Sequence, residues 1–312
     1  MQDYESFTLA TGDGRWSLEL VPAFGGVANK LVYTAPDGTQ TPLIAGHGNR
    51  AGFEQDRYFR GVPLYPFINR LRDGRYLHEG REYRFRLNEP ASGNSLHGFL
   101  FTRPPQVEDV VTGPQIAEAT LVWHYAGDVA AYPFPAQIRL QFRLHSEAGV
   151  SVTFRVRNFH ATAVPLAIGW HPYFTLGVPV DELMLQLPPA QRTELDARQL
   201  PTGRLLGFER FTKGGRIGDI RLDDCFELQA TVKEHVTSRL WSPATGFGIE
   251  LWQRVADYPL LQVFIPPDRR SIALEPVSGG IDCFNTGRHL RLLGNGDVFA
   301  ARCGVRIMQA IP

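Results

Sequence analysis

Ala136-Gln137-Ile138-Arg139-Leu140-Gln141-Phe142-Arg143-Leu144-His145 alternates apolar and polar residues without a break. A period of two is that of an extended strand with one buried and one wet face. The pattern returns at once in Val152-Thr153-Phe154-Arg155-Val156-Arg157, and Ser146-Glu147-Ala148-Gly149 between the runs supplies turn chemistry. The two therefore read as an antiparallel hairpin.

Working outward, shorter runs of the same kind occur at Trp16 to Val21, Lys30 to Thr34, Tyr83 to Leu87, Ala119 to Tyr125, Gly248 to Trp252, Leu260 to Ile265, Ser271 to Glu275 and Arg302 to Gln309. Glycine and proline, 31 and 23 residues, punctuate the chain rather than clustering in one linker. No amphipathic stretch holds a helical period for long. The reading is a mostly β protein with few short helices. It is expected to be a large antiparallel β-sandwich, because one twisted sheet of so many strands curls or splits. With no internal repeat and no composition break, residues 1–312 are expected to form a single domain, large enough for a substantial core. The aperiodic segment Pro188 to Gly207 reads as a long surface loop.

Charge narrows the function classes. The 32 basic and 32 acidic side chains cancel, whereas proteins that grip nucleic acid or anionic membranes carry a cationic excess. Neither partner is expected. Arginines crowd between Arg57 and Arg86, but Asp56, Asp73, Glu79, Glu82 and Glu89 lie among them, so most read as a solvated ribbon of paired charges. Three widely spaced cysteines, Cys225, Cys283 and Cys303, fit neither a disulfide framework nor a zinc site and read as core residues of a reducing compartment. The N-terminal residues lack a basic-then-apolar pattern, and no apolar run approaches the ~20 residues of a membrane helix, so the protein is expected to be cytoplasmic.

A few polar residues stand where packing alone does not explain them. His171, in Gly169-Trp170-His171-Pro172-Tyr173-Phe174, follows a strand-like run, and the proline after it marks a strand exit at a rim. The imidazole there serves either a ligand or a backbone carbonyl at a tight turn. His97 precedes Gly98, which lets a backbone or ligand come close; taken alone, it reads as an ordinary loop histidine. Glu275 closes Ser271-Ile272-Ala273-Leu274-Glu275 before Pro276-Val277-Ser278-Gly279-Gly280. Apolar neighbours would raise its pKa and a cation would lower it, and either bias suits proton exchange. Asp223 and Asp224 are adjacent, so in a strand they point to opposite sides and at most one faces a site. Arg70, after the apolar Pro66-Phe67-Ile68, is the arginine least easily assigned to solvent, and its fork of donors suits sugar hydroxyls or a carboxylate.

Other chemistries lack their starting residues. The chain has no G-x-S-x-G, Walker loop, G-x-G-x-x-G after a strand or H-E-x-x-H. Its histidines show no close metal-ligand spacing. The simplest remaining enzyme uses acid and base without metal or cofactor.

Taken in order, Asn69-Arg70-Leu71 with Asp73-Gly74-Arg75-Tyr76, Leu96-His97-Gly98-Phe99, His171-Pro172-Tyr173-Phe174, Pro201-Thr202-Gly203, Leu222-Asp223-Asp224 and Glu275-Pro276-Val277-Ser278-Gly279-Gly280 resemble the motif series of the aldose 1-epimerase (galactose mutarotase) family. The resemblance runs from about Gly25 to the C-terminus. It implies a mostly antiparallel β-sandwich with an open sugar cleft, interconverting the α and β anomers of a free aldose such as glucose or galactose without a cofactor. It further implies His171 as general acid, Glu275 as general base, and His97, Arg70 and Asp223 as substrate-binding residues. Asp224 departs from the family pattern. Ring opening removes the proton of the C1 hydroxyl while protonating the ring oxygen, so acid and base are expected to flank the anomeric centre.

Three other readings stay open from sequence. A hexose-6-phosphate branch of the same fold would use cations near the far end of the sugar, and arginines between Arg57 and Arg86 are available. A carbohydrate-binding or sensor protein would keep the cleft without turnover. A glycoside-processing enzyme would need a second carboxylate across the bond, and no convincing partner for Glu275 is evident. The preferred sugar and the oligomeric state are not legible.

Overall fold

A computed structural model of the chain describes residues 3–229 and 234–308. They form antiparallel sheets with two short α-helices, Arg50–Glu54 and Cys283–Thr286, among the described residues. The hairpin predicted from the alternating runs is present as Ala136–His145 paired with Gly149–Asn158. It lies within a nine-stranded sheet that continues through Val298–Ile307, Phe247–Arg254 and His235–Ser242 on one side and Ile116–Tyr125 on the other.

Alternation decides which face each side chain takes. Ile138, Leu140, Phe142 and Leu144 are buried, as are Val152, Phe154 and Val156 on the neighbouring strand. They join Leu260, Val263 and Leu274 of an eight-stranded sheet in one hydrophobic cluster. Removing each such side chain from water contributes about 1.5–3 kcal/mol, which makes this shared core the main force holding the layers together. The three cysteines are free and buried. A four-stranded sheet of Phe7–Ala10, Trp16–Val21, Val27–Thr34 and Gln40–Pro42 precedes these layers.

Four expectations are corrected. Pro188 to Gly207 is not a loop: Ala190–Leu195 and Pro201–Gly207 form a hairpin at the edge of the eight-stranded sheet. Its residues are half-buried or exposed on both faces, which removes the apolar alternation that would have disclosed it. The strand placed at Tyr83 to Leu87 runs instead over Arg81–Arg84. Glu275 lies inside the strand Ile272–Val277 rather than at its end, and all six residues of that strand are buried. The strand expected at Arg302 to Gln309 spans Val298–Ile307, and Gln309 lies outside the described residues.

No helix among the described residues is long and apolar enough to cross a membrane.

Candidate active site

The eight-stranded sheet builds one wall of a pocket. Asp223–Leu228 pairs with Leu260–Phe264, which pairs with Ile272–Val277. Residues opposite one another in an antiparallel ladder share a face. Register sets Asp223 opposite Phe264, Cys225 opposite Gln262, and Gln262 opposite Glu275. Asp224 falls on the other face, where it meets Arg192 at 3.4 Å. The adjacent aspartates thus do diverge, and Asp223 is the one lining the pocket.

His171 arrives from the next strand. Gly169 pairs with Val277, and Tyr173 pairs with Ala273. Counting inward from both pairs brings His171 opposite Glu275, at an interruption where Pro172 has no N–H to offer the ladder. His171 Nε2 lies 3.4 Å from Glu275 Oε1, and the two residues are 4% and 2% exposed. They are in contact on one wall rather than apart across a gap. The residue does sit at a strand exit, but in the interior and not at an exposed rim. Tyr173 stacks parallel to the imidazole, with centroids 5.1 Å apart, and donates its hydroxyl hydrogen to the Tyr58 carbonyl at 2.8 Å.

Burial governs the protonation of this pair. It pushes the His171 imidazole down to about 3, with Asp56 pulling the other way. It pushes the Glu275 carboxyl well above its usual range, Asp223 adds to that, and Arg70 opposes it. Two neighbouring groups that each resist charge share one proton across a wide pH span. His171 Nδ1 has no hydrogen-bond partner among the described residues. The Nε2 contact with Glu275 is therefore what governs where the ring carries its proton.

The opposite side of the pocket comes from the segment between Arg57 and Leu96 together with His97. His97 has a left-handed backbone, φ 61°, and Gly98 follows at φ 67°. A Cβ on Gly98 would fall 2.1 Å from the Tyr65 carbonyl oxygen, so glycine is required for this close approach. The Asn69 backbone N–H donates to His97 Nδ1 at 3.1 Å. Burial, followed by His171 and Arg70, lowers the pKa of His97 well below its ordinary value. A neutral ring whose Nδ1 accepts must carry its hydrogen on Nε2, which is then a donor.

Arg70 is held rather than free. Its Nε and Nη2 donate to the Glu89 carboxylate at 2.9–3.1 Å, and Nη2 lies 3.6 Å from Asp223 Oδ2. Glu89 also accepts from Ser92 and Asn94. Burial works against its charge, but the Arg70 guanidinium and these donors prevail and lower its pKa. Gln262 completes a chain: Asn69 Nδ2 donates to Gln262 Oε1 at 3.2 Å, and Gln262 Nε2 donates to Asp223 Oδ1 at 2.9 Å. Burial raises the Asp223 carboxyl, with Arg70 opposing.

All five residues singled out from sequence, His171, Glu275, Arg70, His97 and Asp223, line this one pocket. Sequence reasoning missed Gln262, Glu89 and Phe264. Gln262 had a signal, a polar residue inside the apolar run Leu260 to Ile265; Glu89 had only its place among the carboxylates of the arginine ribbon, which did not mark it as a pocket residue. Of the arginine ribbon, Arg72, Arg75 and Arg84 pair with carboxylates as expected, while exposed Arg57 lines the pocket. Among the described residues no group of three or more His, Cys, Asp or Glu is arranged to hold a metal ion.

Comparison with known proteins adds a family to this geometry. The family model for aldose 1-epimerase matches residues 19–305. The uncharacterized protein YihR of Escherichia coli K12 is 29% identical over 245 residues, covering 76% of this chain and 75% of that protein. The galactose mutarotase of Pongo abelii is 22% identical over 239 residues, 69% of this chain and 65% of its own length. In fold, the chain is similar to a galactose mutarotase-like protein from Clostridium acetobutylicum, with a TM-score of 0.87 at 18% identity over 98% of this chain and 95% of that one.

Proposed function

The chain belongs to the aldose 1-epimerase family, and from that premise we propose that it interconverts the α and β anomers of a free aldose, with Glu275 as base and His171 as acid. The observation that carries this reading is the 3.4 Å contact between two buried, oppositely biased proton carriers in a pocket lined with polar groups.

The reaction needs one proton to leave and one to arrive. Glu275 takes the proton from the C1 hydroxyl, His171 delivers one to the ring oxygen, and the bond between C1 and the ring oxygen breaks to leave an open-chain aldehyde. Rotation about the C1–C2 bond presents the other carbonyl face. Closure then reverses both transfers, so the enzyme returns to its starting state. The two oxygens concerned are bonded to the same carbon, so an acid and a base standing side by side reach both at once. The active form carries the shared proton on His171 and a bare carboxylate on Glu275. It is the same one-proton state as the neutral pair, and hydroxyls donated by a bound sugar favour it.

Positioning supplies the rest of the rate gain. His97 Nε2–H donates to a sugar oxygen, Arg70 donates from a guanidinium fixed by Glu89, and Asp223 accepts from a hydroxyl. The test is to add the protein to freshly dissolved α-glucose or α-galactose and follow the anomers by polarimetry or NMR. Faster equilibration supports the reading. Sugar binding without acceleration would favour a carbohydrate sensor instead.

A further inference from the structure

Arg70 and His97 reach the pocket from a ribbon outside the two large sheets. Arg70–Arg72 pairs with Asn94–Leu96 as a separate two-stranded sheet. Its register sets Arg70 opposite Leu96 and Arg72 opposite Asn94. The pocket end therefore carries Arg70 and, one residue past Leu96, His97. At the other end the chain leaves through Asp73 and returns through Ser92 and Gly93. Asp282 braces the first strand, accepting the Arg72 N–H at 3.0 Å and donating its own N–H to the Arg70 carbonyl at 2.8 Å. Two strands alone are marginally stable in water, so what ties their far end bears on how firmly Arg70 is placed.

One side chain makes that tie. Arg198 Nη2 donates to Asp73 Oδ1 at 2.7 Å and to the Gly93 carbonyl at 3.2 Å, and its Nε donates to the Ser92 carbonyl at 2.9 Å. The fork thus spans the exit of one strand and the entry of the other. Its hydrogen bond lowers the pKa of Asp73. The Arg198 carbonyl accepts from Nδ2 of the buried Asn94 at 3.0 Å, and that Nδ2 also donates to Glu89 Oε2 at 3.3 Å. Ser92, whose carbonyl Arg198 holds, donates its hydroxyl hydrogen to the same Glu89 oxygen. Glu89 in turn fixes Arg70. A continuous series of hydrogen bonds therefore runs from Arg198 to the pocket. An exposed ion pair by itself contributes little; a planar fork that joins separate segments is a different device.

The turn that delivers Arg198 is itself braced. It joins Ala190–Leu195 to Pro201–Gly207. Asp196 Oδ1 accepts from the N–H groups of Arg198 and Leu200 at 2.8 and 3.0 Å, and Leu200 is buried. Thr202 and Arg204 both donate to Glu194 on the facing strand, with Gly203 between them at φ 92°. Pro201-Thr202-Gly203 lies outside the pocket lining, and this bracing gives it a task.

We propose that Arg198 is a positioning residue: it clamps the far end of the ribbon and, through Glu89, sets the guanidinium of Arg70 that binds sugar, an inference that rests on the epimerase reading. Anomer exchange of glucose and galactose would be measured for wild type, Arg198→Ala, Arg198→Lys and Glu89→Gln, and for each Arg198 variant combined with Glu89→Gln. Arg198→Ala is expected to raise KM about fivefold or more, with kcat changed less than about twofold. Arg198→Lys keeps the charge without the fork and should raise KM likewise. In the Glu89→Gln background the same substitutions should move KM by less than about twofold, because the route to Arg70 is already cut. A general structural role would weaken both backgrounds alike. If Arg198→Ala fails to fold, the lysine variant decides by the same comparison. An unchanged KM in either Arg198 variant, a loss confined to kcat, or an equal rise in both backgrounds would overturn the clamp and leave the epimerase reading intact. No acceleration of either sugar by the wild type would remove both.

Discussion

His171 stands opposite Glu275 in the register of neighbouring strands, bracketed by the pairs Gly169 with Val277 and Tyr173 with Ala273. Gln262 faces Glu275 from the other side. The backbone ladder, not a long flexible side chain, sets the distance between the imidazole and the carboxyl. Substitutions that keep side-chain size should therefore keep the arrangement.

Glu275→Gln should stabilise the protein, and more so as pH rises. A buried carboxyl with a raised pKa contributes stability that is present below its unfolded value, 4.5, and is lost as pH climbs toward the folded one. Glutamine has no proton to lose. Denaturant midpoints of the two proteins should diverge upward from about pH 4.5, the variant on top. A wild type more stable than the variant at neutral pH would mean that the resting pair is a salt bridge.

Activity should persist well below the ordinary imidazole range. The one-proton state of the pair ends on the acid side when His171 gains a proton beside a protonated Glu275, and burial holds that step down to about 3. The acid limb of kcat/KM, corrected for the uncatalysed rate, should therefore lie far below 6.5, the ordinary value for histidine. A half-maximal point near 6.5 would contradict this account of the pair.

Glu89→Gln should weaken sugar binding more than chemistry. Glu89 touches Arg70 but not the acid–base pair, and it fixes the guanidinium through its Nε and Nη2. Loss of that anchor is expected to raise KM by roughly tenfold, about 1.4 kcal/mol, with a smaller change in kcat. Equal losses in kcat and kcat/KM would place the effect in the transition state instead.

Gly98→Ala should cost more than about 1 kcal/mol of stability, because a left-handed glycine pressed on a carbonyl cannot accept a methyl group. The Tyr65 oxygen would stand 2.1 Å from the new Cβ, and the shift needed to relieve it moves His97. Thermal denaturation together with KM would report both effects. An unchanged melting temperature would show that this loop yields freely.

Where side chains alternate between core and water, the fold was legible: Ile138, Leu140, Phe142 and Leu144 announce their strand because one face is dry. The hairpin Ala190–Leu195 with Pro201–Gly207 was not, since neither of its faces is fully buried and its residues carry no period. The candidate site divides in the same way. His171 and Glu275 were noticeable as polar residues at the ends of apolar runs; the local pattern of Asp223 and Asp224 said only that they diverge, the family resemblance favoured Asp223, and register assigns each a face. Glu89 was legible only as one carboxylate among the arginines; that its partner is Arg70, and that the pair lines the pocket, is decided in space and no local pattern encodes it.

The most direct measurement is the rate at which α-glucose and α-galactose reach anomeric equilibrium with wild type, Glu275→Gln and His171→Asn at equal concentration. The wild type should speed equilibration of at least one sugar, and each variant should lose about 10²–10⁴-fold of that acceleration while remaining folded. Full activity in both variants, or a wild type that leaves both sugars at their spontaneous rates, would contradict the account.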